Sequence, residues 1–557
     1  MAFDTLNMKS LSSAAILCFL VALFLLDRSV FTNYVEWKTE NGPEYAVGDA
    51  NLSSSTSLHF PRCLNATDTS IQCLTQDHSD KIPQVSSQYN RTNWFQSELW
   101  RKKCLEVEHV CHSTGRWWYK DVPNAHQPKF RFKAHKEFGA KVGYPSEIDV
   151  RSASKEVENL TCTYSPVPNH LVLFALYNDM LGEFYLRNLV GLIYMLSKEE
   201  HMEALLESTQ LYLHLHNFDR SLLDSHYAFM ASFLSHRLLN FKELLQSTSC
   251  SCMERMVFCG YRFEEEDENI IVRGAGGLEP KSFPGVGQFD SKIFRTAQHF
   301  IRENAITSNP FVQRDIADFR LDFLTKKGIK DNFDDWKIIG LTQRSSRRKW
   351  LNIDDSLRMC EEKLRRMRIL CMVVNVEEPH FHPTHHVVVH GSLDGLVGIH
   401  GAQLTDALWM KPGSLVVELL TYLAPGMVHG DWTRKSKEPT PLGEIYIGTD
   451  LYHVGVPLKW TSVPQCKTER GDDFIACVKR NRWASRDFDA DTNDIEEVIT
   501  KFARDRPDSC EAQKRLAGEE RVVLYNALCD DGDGMHAHFF YWKKGLGEIE
   551  AFSGLPK

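Results

Sequence analysis

From Trp336 to Leu420 the chain alternates apolar β-branched runs with capped amphipathic segments, and this alternation constrains the fold more than any other feature. WKIIGLTQR reads as a strand, Asp354 to Arg368 as a charged amphipathic helix, and Ile369 to Glu377 as a second strand. A polar, histidine-rich connection follows, then the strand Asp394 to His400, the helical Leu404 to Met410, a Pro412-Gly413 break and the strand Ser414 to Leu420. Strand, helix and strand in regular succession imply right-handed crossovers and a parallel sheet, which takes its ligands at the carboxyl ends of its strands. The fold class is α/β.

At the turn GIHGAQLTDALW the strand ending at His400 passes into a helix through Gly401 and Ala402. Small residues there let the backbone approach a ligand while free N–H groups face an anion, and a diphosphate suits that geometry. Thr405 can add a hydroxyl donor. Glu418, 418 − 401 = 17 residues past Gly401, ends the next strand, where an acidic residue can hold a ribose. The bland reading of Gly401 and Ala402 is tight helix-to-strand packing. Upstream, QRSSRRKWLN places Arg344 and Arg347 just after a strand, and guanidinium forks neutralise diphosphates well. A solvated basic face is the alternative reading of such a run.

The remaining candidates carry weaker signals. Asp531-Gly-Asp533 and the run Asp487, Asp489, Asp491 have the spacing of metal-binding aspartates, yet both read as polar surface loops. His380, His382, His385, His386 and His390 are irregularly spaced with no fixed acidic partner, so they read as a connecting segment. No metal site and no cofactor are expected.

Near the N-terminus, Leu11 to Leu26 are sixteen uncharged residues between Lys9 and Asp27-Arg28. That run spans roughly 24 Å as a helix, enough for a thin bilayer, and no small-residue cleavage pattern follows it, so it reads as an uncleaved signal-anchor. Four N-x-S/T sequons, at Asn51, Asn65, Asn90 and Asn159, mark potential N-glycosylation. Of 15 cysteines, one (Cys18) lies in the hydrophobic run, and the other 14 suit disulfides in an oxidising lumen. The composition after the anchor is polar and linker-like to about residue 90, then globular. With 65 Lys and Arg against 74 Asp and Glu the net charge is −9, which argues against a nucleic-acid partner.

The block Asp394, Gly398, His400, Gly401, Ala402, Leu404, Thr405, Pro412, Gly413 and Glu418 resembles the signature of family 61 glycosyltransferases, with Gln403 and Asp406 departing from it. Arg344, Arg347 and Asn352 fall in places similar to the family's arginine-rich segment. The resemblance is specific over Trp336 to Leu420, thinner across His170 to Asn309 and absent from the stem. It implies a GT-B-like architecture, two Rossmann-like domains facing a cleft, and metal-independent, inverting transfer from a UDP-sugar, xylose first, to a hydroxyl of a glycoprotein or polysaccharide glycan. N-acetylglucosamine or arabinose transfer, and a non-catalytic anchored glycan-binding protein, are the alternatives. Inversion needs a general base on the acceptor side. Glu183 and Asp179 near a strand-to-helix turn are candidates, with His400 and Asp394 as alternatives. The expected organisation is a cytoplasmic tail (1–10), a transmembrane signal-anchor (11–31), a stem (32–93), an acceptor-side domain (94–330), a nucleotide-sugar domain (331–480) and a C-terminal tail (481–557). The expected location is the Golgi or endoplasmic reticulum membrane, single-pass type II with a lumenal body.

Overall fold

A computed structural model describes residues 62–63, 70–74, 94–95, 97–120, 129–133, 147–152, 160–175, 181–200, 202–215, 229–231, 233–234, 237–241, 244, 247–259, 261–266, 269–274, 278, 291–345, 347–375, 383–420, 451–458, 486–504, 522–527 and 537–541. The Leu11 to Leu26 run and the asparagines of all four sequons lie outside these residues. Among the described residues no helix is long and apolar enough to cross a membrane.

The described strands form two sheets. In the N-terminal one, Arg237–Asn240, Thr209–Leu215, Asn169–Ala175 and Ser251–Cys259 run parallel in that spatial order. Cys104–Ser113 then pairs antiparallel with Ser251–Cys259. Its register sets Cys104 opposite Cys259 and Cys111 opposite Cys252, and both pairs are disulfides, with a third joining Cys162 to Cys250. After Asn169–Ala175 comes a helical segment made of Leu181–Phe184, a π turn at Tyr185–Leu189 and Val190–Leu196. In this segment Phe184, Tyr185, Leu189, Val190, Leu192, Ile193, Met195 and Leu196 are all buried. The helix Ser291–Arg302 packs on this segment, and Ala402–Trp409 from the C-terminal half meets its first turn.

The C-terminal sheet holds β1 (Lys337–Gln343), β2 (Ile369–Asn375), β3 (Gly395–Ile399), β4 (Leu415–Leu420), β5 (Tyr452–Pro457), β6 (Val522–Ala527) and β7 (Ala537–Tyr541), in the spatial order β2-β1-β3-β4-β5-β7-β6. Every pairing is parallel except β6 with β7. The chain steps outward from β1 to β2 and returns to β3 on the other side, so β1 and β3 flank the point where the winding reverses. Alternate residues feed two cores. Ile339, Leu341, Val397, Ile399, Val417 and Leu419 pack with helices α2 (Ile353–Glu362) and α4 (Thr492–Arg504). On the opposite face Ile338, Leu370, Val374, Leu396 and Val416 join a core that continues without a break into the N-terminal half. This face is covered by α1 (Pro310–Lys326), capped by Asn309 with Pro310 at its first position, and by α3 (Pro383–Gly391). A fourth disulfide, Cys360–Cys371, ties α2 to β2.

Two local readings change. The histidine-rich stretch expected to be a connection forms α3 from Pro383 onward. The segment expected to be helical from Leu404 to Met410 is instead a 3₁₀ helix, Ala402–Trp409.

Candidate functional site

The loops that leave β1 and β3 start at the reversal point, where an open α/β sheet takes its ligands. The loop after β1 is closed at its neck by Gln343. Its Oε1 accepts from the backbone N–H groups of Arg344 and Trp350, both at 2.9 Å, and its Nε2 donates to the Trp350 carbonyl at 3.0 Å. Trp350 anchors the far end in the core, its Nε1 donating to Asn352 Oδ1, and Asn352 makes two further bonds to the backbone of Ala490. Between these fixed points Arg348 takes a left-handed conformation with φ 57°, and its guanidinium donates to the carbonyl of His400. Arg344 converges on the same spot. A Cβ placed on Gly401 would lie 2.9 Å from Arg344 Nη1 and 3.3 Å from Arg348 Nη1. A side chain at 401 would therefore displace the two guanidinium groups, which concentrate positive charge beside the turn. Arg347 is exposed, and the structure replaces it with Arg348 as the second arginine at Gly401.

Behind the turn lies a buried carboxylate held between two imidazoles. Glu418 has no exposed surface. Its Oε1 accepts from His400 Nδ1 at 2.6 Å and its Oε2 from His453 Nε2 at 3.0 Å. Burial alone would push its carboxyl up, but the hydrogen bonds and the attraction of His400 and His453 overcome this and hold it down at about 2. A carboxylate only accepts, so His400 carries a proton on Nδ1 and, when neutral, its lone pair on Nε2. Gly398 on β3 and Gly455 on β5 stand in register with Glu418. A Cβ at Gly398 would run into the Thr342 hydroxyl, so that glycine serves packing between β1 and β3. His453 is fully buried and gave no sign in the sequence, since YHVGVP looks like an ordinary strand.

Other candidates fall elsewhere. Asp394 sits at the opposite end of β3, six residues and roughly 20 Å of extended chain from His400. Burial would raise its carboxyl, but Arg320 and Lys411 hold it below the usual range, and its Oδ2 also accepts the Ile338 N–H at 2.9 Å. It braces the start of the sheet, and a base role at the turn is corrected on that ground. Glu418 likewise has no surface to offer a ribose, so its action at the site passes through His400. Thr405 is fully buried and its hydroxyl makes no hydrogen bond among the described residues, so it does not line the anion surface. Ala402 begins the 3₁₀ helix next to Gly401, and Glu183 lies in Leu181–Phe184, the turn that meets that helix. Asp406 turns away from the site and bonds His386 Nδ1 at 2.8 Å. Asp487 and Asp491 accept backbone N–H groups of Lys349 and Asn493 in the surface loop before α4. Asp531 and Asp533 lie outside the described residues, as does Asp179. Among the described residues, one group has the side chains to hold a metal ion: His386, His390 and Asp406.

No protein-family profile matches the chain, and no curated protein matches it.

Proposed function

We propose that this chain is a glycosyltransferase that moves a sugar from a UDP-sugar, xylose first, to a glycan hydroxyl with inversion. The observation that carries the reading is the convergence of Arg344 and Arg348 on Gly401 beside His400, at the winding reversal of a parallel sheet. A departing nucleoside diphosphate gathers negative charge as the glycosidic bond breaks, and preorganised guanidinium groups stabilise that charge where it develops. His400, held in one tautomer by Glu418, adds a directed contact to the phosphates or the departing oxygen. The N-terminal half supplies the acceptor side, and Glu183, in the turn that meets Ala402–Trp409, is the base we assign to the acceptor hydroxyl. In this reading the two α/β halves form a GT-B-like pair, and metal is not needed to neutralise the diphosphate. The Leu11 to Leu26 run anchors the chain in a Golgi or endoplasmic reticulum membrane, and the four disulfides among the described residues suit the oxidising lumen beyond it.

The test incubates the full-length protein with a panel of UDP-sugars and an acceptor glycan mixture while UDP release and transfer are followed. One donor, UDP-xylose first, supports turnover, initial rates are unchanged by EDTA, and Arg344→Ala lowers kcat/KM by about a hundredfold or more. Absence of UDP release with every donor, together with undetectable UDP binding by calorimetry, sinks the reading.

A further inference from the structure

Helix α3 and the 3₁₀ helix Ala402–Trp409 bring together three side chains of metal-binding type, two from the first element and one from the second. His386 and His390 stand four residues apart, on one face of α3, with rings 5.8 Å between centroids and 24° between planes. Asp406 comes from the facing segment and accepts His386 Nδ1 at 2.8 Å. One potential ligand atom from each residue lies within 4.8 Å of the other two. The residues are 4%, 0% and 2% exposed, so the group is enclosed by protein.

We propose that His386, His390 and Asp406 bind a divalent transition-metal ion of the zinc type that pins α3 to the segment carrying the Gly401 turn. Two imidazoles and one carboxylate match the ligand preference of zinc, and three protein ligands leave a fourth position for water. The second shell is partly in place. His390 Nδ1 lies 2.8 Å from the carbonyl of His386, which only accepts, so Nδ1 carries the proton and Nε2 presents its lone pair. The ion takes the position of the proton now shared by His386 and Asp406, which leaves to solvent, and metal–ligand bonds near 2.0 Å open that contact by roughly half an ångström. The ion's role is structural and does not depend on the transfer reading, because the three residues are not among those that meet Gly401.

The test strips the full-length protein by prolonged dialysis against a chelator, then titrates Co²⁺ while visible absorption is recorded and Zn²⁺ competes. About one Co²⁺ per chain, with the ligand-field bands of a four-coordinate site, is expected. Zn²⁺ displaces it and raises the thermal midpoint by several degrees. His390→Ala weakens Co²⁺ binding by about tenfold or more and leaves the His386–Asp406 bond intact, whereas His385→Ala binds as the parent does. Should His390→Ala fail to fold, His390→Gln takes its place. Absence of ligand-field bands in the parent shows a buried hydrogen-bonded pair only, and equal binding by the His390 variant shows adventitious uptake by other histidines. Either result overturns the proposal.

Discussion

A carboxylate with no exposed surface keeps its charge only when neighbours compensate the lost hydration, and Glu418 meets that condition with His400 and His453. The sign of its pH effect follows from the depressed folded-state value. Glu418 contributes stability that is fully present above about 4.5 and is lost as pH falls through about 2. Urea midpoints measured between pH 6 and 2 should therefore fall more steeply for the parent than for Glu418→Gln, which starts lower and has a shallower acid limb. The glycines of the site divide by what crowds them. Gly401→Ala meets only the mobile ends of Arg344 and Arg348, so the variant folds, and UDP affinity by calorimetry drops about tenfold as the guanidinium groups are displaced. Gly398→Ala drives a methyl into Thr342 inside a packed sheet, and a loss of about 1–3 kcal/mol in denaturant unfolding is expected. The residue types at 400, 401 and 344 were legible in sequence because small residues and arginines after a strand have few other uses together. The pairing of Glu418 with His453 was not, since it joins neighbouring strands across 453 − 418 = 35 residues.

At the scale of elements, the parallel strands β1 to β4 stand where β-branched runs and capped helices put them, since each buried strand carries its own apolar signature. Helix α3 carries no such signature. Its Val387, Val388 and Val389 have low helix propensity, and its histidines make the stretch look polar, yet burial against α1 and Ala402–Trp409 outweighs both. Likewise Ala402–Trp409 winds as a 3₁₀ helix, in which Leu404, Ala407, Leu408 and Trp409 are buried and Asp406 can still reach α3. The Cys360–Cys371 bridge closes a separation of 11 residues between α2 and β2. Loop-closure entropy puts its contribution at about 3 kcal/mol, so the Cys360→Ala, Cys371→Ala double variant should lose that amount in equilibrium unfolding.

Across the whole molecule, one apolar core runs from the N-terminal helices to the inner face of the C-terminal sheet. Trp409, 2% exposed and with its ring 5.8 Å from that of Phe229, joins the two halves within it. Trp409→Ala should cost about 3–5 kcal/mol. Differential scanning calorimetry should show both halves losing stability together, and two independent transitions with only one shifted would contradict a shared core. The sequence by itself determined the α/β class, the strand end that leads into the Gly401 turn and the suitability of its cysteines for disulfides, because local periodicity and residue chemistry carry that information. Tertiary structure alone decided which arginine joins Arg344, that Asp394 braces the far end of the sheet, that Glu418 closes on two histidines and that Asp406 closes on His386. Those choices depend on contacts between segments distant in the chain, and burial, which no local pattern records, sets their energy.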